Sequence, residues 1–198
     1  MTIDDKMLYT NSASPQLVFA QMNKNKNVIW PALVEKAWAK IKGSYDSADY
    51  GFVVTGLRSL TGAPVVSYPA NLITTQTLAN NAWQLMKDSE TAGYLMGAAT
   101  AGSGNDQNKN TCGMAMSHAY SIISAFTLTA TNSTSYKVLL VRNPWGTTFY
   151  NSTFNKNDEI WNQASSIAQV PNGVNPKLDW NNGYFVTPIS NFINARCF

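Results

Sequence analysis

Histidine, cysteine and charge are all scarce in this sequence of 198 residues. It has one histidine and two cysteines, too few for a closed zinc site, which takes four ligands. Charged residues make up 13% of the chain, and its net charge of +3 is not gathered into a basic run. We therefore expect no binding to nucleic acid or to a membrane surface, and no bound metal or other cofactor.

Long apolar runs are also absent, since no stretch reaches the roughly 18 residues that a membrane helix needs. The N-terminus does not match a signal peptide, because Ile3-Asp4-Asp5 interrupts any early apolar segment. These absences predict a cytoplasmic protein. Cys112 and Cys197 could pair in principle, but in a reducing compartment we expect two free thiols.

The remaining composition is that of a folded domain. Hydrophobic residues make up 44% of the chain and aromatic residues 12%, which is enough for a substantial core. No repeat or linker divides the sequence, so we predict a single domain over residues 1–198.

Two helices are predicted in the first half of the chain. Trp30 to Ile41 has apolar residues at helical spacing, Asn27 can cap its start, and Gly43 suits a left-handed end. A second helix is predicted from about Thr75 to Lys87. Its inward face would consist of Leu78, Ala82, Leu85 and Met86.

Strands are predicted mainly in the second half. The β-branched and aromatic runs Ala119 to Thr129 and Tyr136 to Val141 are joined by a polar turn, which predicts an antiparallel hairpin. Ser44 to Pro69 is predicted to form long loops with short strands, and Gly102 to Asn110 a loop. Further strands are predicted at Gln16 to Ala20, Tyr94 to Ala101, Tyr184 to Val186 and Ala195 to Phe198. The order of elements indicates an α+β fold of mostly antiparallel β-sheets with a few flanking helices.

The hairpin carries the most informative polar residues. His118 precedes its first strand and Asn143 follows its second, so strand pairing would bring the two side chains together. The Asn143 oxygen could accept from one ring nitrogen and leave the other for a thiolate, as in a Cys-His-Asn protease site. Trp145 could cover this hydrogen bond and exclude water. The pattern alone leaves open the alternative of a core histidine beside a loop asparagine.

More of the chain supports the protease interpretation. Five matching blocks occur in one order along the sequence. They are Ile3-Asp4-Asp5, Trp30 to Tyr45, Ser117-His118-Ala119-Tyr120-Ser121, Val141-Arg142-Asn143-Pro144-Trp145-Gly146, and Asn182-Gly183-Tyr184-Phe185 with Ser190-Asn191-Phe192. On these blocks the chain resembles the calpain family of cysteine proteases over nearly its whole length.

The resemblance implies a position within a larger protease core. Calpains have a papain-like core of two lobes with the active site between them, and this chain is similar to the second, β-rich lobe. His118 would be the general base and Asn143 its orienting residue, with Trp145 as support. The implied partners are a Cys-bearing first lobe and a protein or peptide substrate. The first lobe's Gly-Asp-Cys-Trp segment is absent, and Cys112, close before His118, is poorly placed to replace it.

The substrate cleft departs from the family in one respect. Ser117 stands where a glycine usually precedes the histidine, and this change would narrow the cleft. Thr61-Gly62 is retained in an otherwise divergent segment. The resemblance therefore assigns Ser117 and Gly62 to the substrate cleft.

The family's calcium site is not retained. In conventional calpains the second lobe binds calcium through carboxylates, and calcium needs six to eight oxygen ligands. The matching positions hold Phe149, Lys156, Asn182 and Tyr184. Asp158 and Glu159 are near in sequence, but only a gap would place them in the site. We therefore expect no tight calcium binding by this lobe.

Two functions remain to be separated. The first is the C-terminal half of a calpain-like endopeptidase core, which would be inactive as an isolated chain because it lacks the nucleophile. The alternative is a pseudoprotease lobe that binds peptides or proteins as a scaffold. The presence of His118, Asn143 and Trp145 favours the enzyme, since a scaffold has no chemical need for them.

Overall fold

A four-stranded antiparallel sheet is present in the computed structural model, which describes residues 2–18, 28–49, 51–102 and 105–198. The strands follow one another in space as in sequence: β1 (Met96–Ala99), β2 (Ala119–Thr129), β3 (Ser135–Arg142) and β4 (Tyr184–Pro188). β2 and β3 form the predicted antiparallel hairpin, so this prediction is confirmed. The α+β class with a mostly antiparallel sheet is confirmed as well.

The sheet is buried on both faces. In β3, Val138, Leu139, Leu140 and Val141 are all fully buried, which explains their continuous apolar run. Successive residues of a strand point to opposite faces, and accordingly Leu139 and Val141 belong to one apolar cluster while Val138 and Leu140 belong to the other. The first cluster includes Trp83, Tyr120 and Phe185, and the second includes Phe126, Phe154 and Trp161.

The described residues form four α-helices. They are α1 (Trp30–Lys42), α2 (Val53–Thr61), α3 (Gln76–Thr91) and the short α4 (Ala164–Ile167). The 3₁₀ helices are Asp46–Ala48, Ala70–Leu72, Glu159–Asn162, Pro171–Gly173, Asp179–Asn182 and Ile189–Ala195. None of the helices in the described part of the chain has the length and apolar character that crossing a membrane requires.

The chain divides into two compact units, Met1–Phe52 and Val53–Phe198. The prediction of a single domain over residues 1–198 stays a prediction. In the first unit Lys36 of α1 forms an ion pair with Asp4, and the Lys40 ammonium donates to the Thr2 carbonyl at 2.6 Å. These contacts bind the segment that contains Thr2 and Asp4 to α1.

The predicted first helix is confirmed, and Gly43 ends it with a left-handed φ of +100°. Its predicted cap is wrong, because Ile29 occupies the cap position without a side-chain hydrogen bond; Asn27 lies outside the described residues. The predicted strand at residues 16–20 is reduced to an isolated bridge between Tyr9 and Leu17, and residues 19–20 are not described.

The second predicted helix exists as α3, and its inward face was predicted only in part, since Ala82 and Met86 are half-buried and Met86 packs against the first cluster. Thr75 caps it by accepting from the Leu78 N–H at 3.2 Å. Leu78 and Leu85 are each 42% exposed, whereas Ala79 and Trp83 are buried. The Trp83 indole N–H donates to the Val138 carbonyl at 3.0 Å, and this long-range bond sets which side of the helix faces the sheet.

Three other predictions of secondary structure need correction. Residues 53–61, which we expected in loops, form α2. Within residues 94–101 only Met96–Ala99 is a strand, and Tyr94 and Leu95 are exposed. Residues 195–198 do not form the predicted strand. Phe198 instead stacks on Phe192 with ring centroids 4.2 Å apart, so side-chain packing and not strand pairing holds this segment.

The doubly buried β3 strand should be the most sensitive part of the core. Replacing Leu139 with alanine should lower the free energy of unfolding by about 2–5 kcal/mol, because it leaves a cavity against the first cluster. The matched control is Leu178→Ala, since Leu178 is 73% exposed, and it should change stability by less than about 0.5 kcal/mol. Denaturant unfolding followed by tryptophan fluorescence measures both. Equal losses in the two variants would contradict the assigned core.

Candidate active site

Strand pairing brings His118 and Asn143 together at one end of the hairpin. His118 immediately precedes β2 and Asn143 immediately follows β3, and Ser121 is the register partner of Arg142. The His118 Nε2 and the Asn143 Oδ1 are 2.9 Å apart, although the residues are separated by 25 positions in sequence. The predicted approach of these side chains is therefore confirmed, while their catalytic role stays a prediction.

Asn143 is buried, and its amide oxygen has a defined orientation. Oδ1 also accepts from the Trp145 backbone N–H at 3.1 Å, which identifies this atom as the oxygen. An oxygen can only accept, so the His118 Nε2 must carry the proton of their hydrogen bond. Nδ1 is then the nitrogen left for other chemistry.

Two aromatic rings hold the imidazole. Its centroid lies 4.3 Å from the Trp145 ring at a 45° tilt and 5.0 Å from the Tyr120 ring in an edge-on arrangement. Only 10% of the His118 side chain is exposed. Trp145 thus lies against the His118 ring, as the sequence predicts, and Tyr120 is a neighbour that the sequence alone did not single out.

The backbone around His118 is fixed by Thr100. The Thr100 N–H donates to the His118 carbonyl at 3.0 Å, and the His118 N–H donates to the Thr100 hydroxyl oxygen at 3.1 Å. Ser117 has a left-handed φ of +49°, and its hydroxyl donates to the Gly102 carbonyl at 2.9 Å. A residue in this conformation is strained unless it is glycine, asparagine or aspartate, which gives a local reason for the family's glycine.

Gly62, the other residue assigned to the substrate cleft, ends α2. It has a φ of +70°, is exposed, and its N–H donates to the Arg58 carbonyl at 2.8 Å. The described contacts do not join Gly62 to His118, so its assignment and that of Ser117 to a cleft stay predictions.

Cys112 and Cys197 form a disulfide, so the prediction of two free thiols is wrong. Their Cα atoms are 5.7 Å apart across 85 residues of sequence, and both side chains are buried. The Asn110 amide also donates to the Cys197 carbonyl at 2.8 Å. The prediction failed because the loop before β2 and the C-terminal segment come together only in the tertiary structure. Disulfides are rare in reducing compartments, and the cytoplasmic location stays a prediction.

The positions that match the family's calcium ligands are occupied by other interactions. The Lys109 ammonium lies 3.5 Å from the centroid of the Phe149 ring, and the Lys156 ammonium lies over the Trp180 ring. Asp158 caps a 3₁₀ helix by accepting from the backbone N–H of Ile160 at 3.1 Å. Across residues 2–18, 28–49, 51–102 and 105–198, no three His, Cys, Asp or Glu side chains are grouped as metal ligands. This donor set does not fit a calcium cage.

Sequence reasoning missed two residues of the site. Gly183 has a φ of +87°, and a Cβ built on it would come within 2.5 Å of the Asn143 carbonyl oxygen. Its Asn-Gly context is a turn signal that could have indicated this role. The Asp106 carboxylate lies 3.8 Å from the His118 Nδ1, and nothing in the loop sequence around Asp106 predicts this contact.

Comparisons with known proteins agree with the geometry. The family model for calpain family cysteine proteases matches residues 1–194. Calpain-5 of Mus musculus is 26% identical over 189 residues, 89% of this chain and 29% of the relative. Calpain-5 of Caenorhabditis elegans is 26% identical over a match that covers 98% of this chain and 31% of the relative. Calpain-14 of Homo sapiens is 33% identical over a match that covers 86% of this chain and 23% of the relative. The chain spans less than a third of the length of these relatives.

Replacing Gly183 with alanine should displace Asn143. The left-handed backbone and the collision with the Asn143 carbonyl both oppose a Cβ, so we expect a loss of unfolding free energy above about 1 kcal/mol. Gly173→Ala is the matched control, since Gly173 has a φ of +67° and open space around it. Only Gly183→Ala should also shift the imidazole NMR signals of His118. Identical behaviour of the two variants would contradict this role.

Tyr120 should make stability fall at high pH. Burial raises its pKa from the ordinary value of 10.0 to about 12, although the hydrogen bond from the Ala115 N–H opposes the rise. Between pH 10 and 12 the folded state keeps a proton that the unfolded state loses, so unfolding free energy falls by up to about 1.4 kcal/mol per pH unit. Tyr120→Phe should flatten this slope, and Tyr68→Phe, at an exposed position, should not. An unchanged slope in Tyr120→Phe would contradict the assignment.

Proposed function

Because the chain belongs to the calpain family of cysteine proteases, we propose that it forms the second lobe of an endopeptidase core. In this proposal His118 is the general base and Asn143 orients it. The observation that carries the proposal is the 2.9 Å hydrogen bond from the His118 Nε2 to the Asn143 Oδ1. It assigns one ring nitrogen to the orienting residue and leaves Nδ1 for a thiol.

The nucleophile is proposed to come from a Cys-bearing first lobe, which is the partner of this chain. Cys112 and Cys197 are the only cysteines in the sequence, and their sulfur atoms are bonded to each other. A disulfide sulfur is not a thiolate nucleophile, and this supports a nucleophile that comes from outside the chain. The proposed substrate is a protein or peptide bound between the two lobes.

The proposed reaction follows from the proton positions. The His118 Nδ1 takes the proton of the incoming thiol, and the resulting thiolate attacks the peptide carbonyl carbon. The imidazolium then donates its Nδ1 proton to the leaving amine as the peptide bond breaks, which leaves an acyl-enzyme. Water attacks the acyl carbon while His118 accepts its proton. The thioester C–S bond then breaks, the imidazolium returns the proton to the sulfur, and the free carboxylic acid is released.

Asn143 and the two aromatic rings would act on this cycle through His118. The Asn143 oxygen keeps Nε2 as the donor in both charge states of the ring, so proton exchange occurs at Nδ1 alone. Trp145 and Tyr120 restrict the rotation of the imidazole and exclude water from its hydrogen bond with Asn143. A fixed base within reach of the nucleophile is the geometric requirement of this chemistry.

The isolated chain should have no measurable peptidase activity. In serine proteases, removal of one catalytic residue costs on the order of 10⁴ to 10⁶ in rate, and here one wall of the cleft would be missing as well. Cleavage of a fluorogenic peptide should appear only when this chain is joined to the Cys-bearing lobe of its parent protein. In that complete core, His118→Ala should lower kcat by about 10⁴ or more.

A matched asparagine pair tests the orienting role. In the complete core, Asn143→Ala should lower kcat, whereas Asn81→Ala, at an exposed position of α3, should leave kcat unchanged. Activity of the isolated chain that survives His118→Ala would refute the proposal. A complete protein that binds peptides but has no nucleophilic cysteine would support the alternative of a scaffold.

A further inference from the structure

The second ring nitrogen of His118 already faces an anion. The Asp106 Oδ2 lies 3.8 Å from Nδ1, the atom that the proposed reaction reserves for the thiol. The Asp106 side chain is 40% exposed, whereas that of His118 is 10% exposed. The carboxylate therefore reaches the imidazole from the solvent side, while Asn143 holds it from within.

Proton positions make this contact sensitive to the charge of the ring. Since the Asn143 oxygen requires a proton on Nε2, a neutral imidazole would point the lone pair of Nδ1 at the Asp106 carboxylate. A protonated imidazole points an N–H at the same carboxylate, which can accept it. A thiolate would meet the imidazolium in the same way, as an anion opposite the Nδ1 proton.

The loop that carries Asp106 is tied to the segment that carries His118. The Met116 N–H donates to the Asn108 carbonyl at 2.9 Å, and Lys109 forms a β-bridge with Ala115. Cys112 lies between the two bridged residues, and its disulfide to Cys197 attaches this turn to the C-terminal segment. Asp106 is thus placed beside His118 by the hydrogen bonds within this loop and by the disulfide that ties the loop to Cys197.

Other polar groups near Asp106 do not replace His118 as its partner. The Gln107 amide donates to the other carboxylate oxygen, Oδ1, at 3.4 Å, and leaves Oδ2 directed at the ring. The Lys109 ammonium, the nearest cation in sequence, lies over the Phe149 ring. Within the described ranges, His118 is the one cation-forming side chain that lies within ion-pair distance of the Asp106 carboxylate.

We propose that Asp106 is a positioning residue that occupies the thiolate side of His118 until the nucleophile arrives. This inference rests on the proposed function, because it needs a thiol that docks at Nδ1. In the isolated lobe Asp106 holds the protonated ring in the orientation that the reaction uses. In the complete core it competes with the thiolate for the same N–H, and its exposed side chain can rotate into solvent when the lobes meet.

The contact can be measured in this chain alone. His118 is the only histidine, so a two-bond ¹H–¹⁵N spectrum of the ¹⁵N-labelled chain contains the signals of a single imidazole. With the ring protonated, Asp106→Asn should shift the Nδ1 signal and leave the Nε2 signal in place. Asp5→Asn, an exposed aspartate with the same change of charge, should shift neither. An unmoved Nδ1 signal in Asp106→Asn would overturn the proposal.

The competition is measured in the complete core by peptide cleavage. Asp106→Asn should raise kcat about two- to fivefold with KM unchanged, which corresponds to about 0.4–1 kcal/mol for a partly exposed ion pair. A lower or unchanged kcat, with a shifted Nδ1 signal, would overturn the competition with the thiolate. If no complete core cleaves peptide, the proposed function fails, and the ring spectrum still decides whether Asp106 holds His118.

Discussion

Antiparallel pairing of β2 with β3 is the constraint on which the site depends. It places the residue before one strand beside the residue after the other, and no local structure could bring His118 and Asn143 within 2.9 Å. Strand β3 is buried on both faces, so its register cannot slip without exposing apolar side chains. The packing that stabilises the sheet therefore also fixes the distance between His118 and Asn143.

Asn143 links this packing to the chemistry. Its side-chain oxygen accepts from His118 and from the Trp145 backbone, while its backbone N–H donates to the Gly183 carbonyl. A buried amide with these partners has little freedom to rotate, and its orientation determines which ring nitrogen is available. Family membership and this fixed orientation of the His118–Asn143 pair are the observations on which the proposed protease function rests.

Predictions from sequence succeeded where a signal was local and repeated. The hairpin, α1 and α3 followed from periodicity and end signals, and Gly43 and Thr75 have the cap positions that their residue types favour. The inward face of α3 was predicted only in part: Met86 packs against the core, but Leu78 and Leu85 are apolar yet exposed. The orientation of α3 is set by the hydrogen bond from the Trp83 indole to the Val138 carbonyl. The helix α2 was missed because a segment rich in glycine, threonine and serine has no strong helical preference.

The sequence by itself determined the family and the fold class and indicated His118 as the candidate base, because these depend on residue types in a fixed order. Only the tertiary structure decided that Cys112 and Cys197 are bonded, and that Asp106 faces Nδ1. Both depend on distances between segments that are separated along the chain or joined by an irregular loop. Such distances follow from how the whole sheet packs. They cannot be predicted from composition, residue spacing or local propensity.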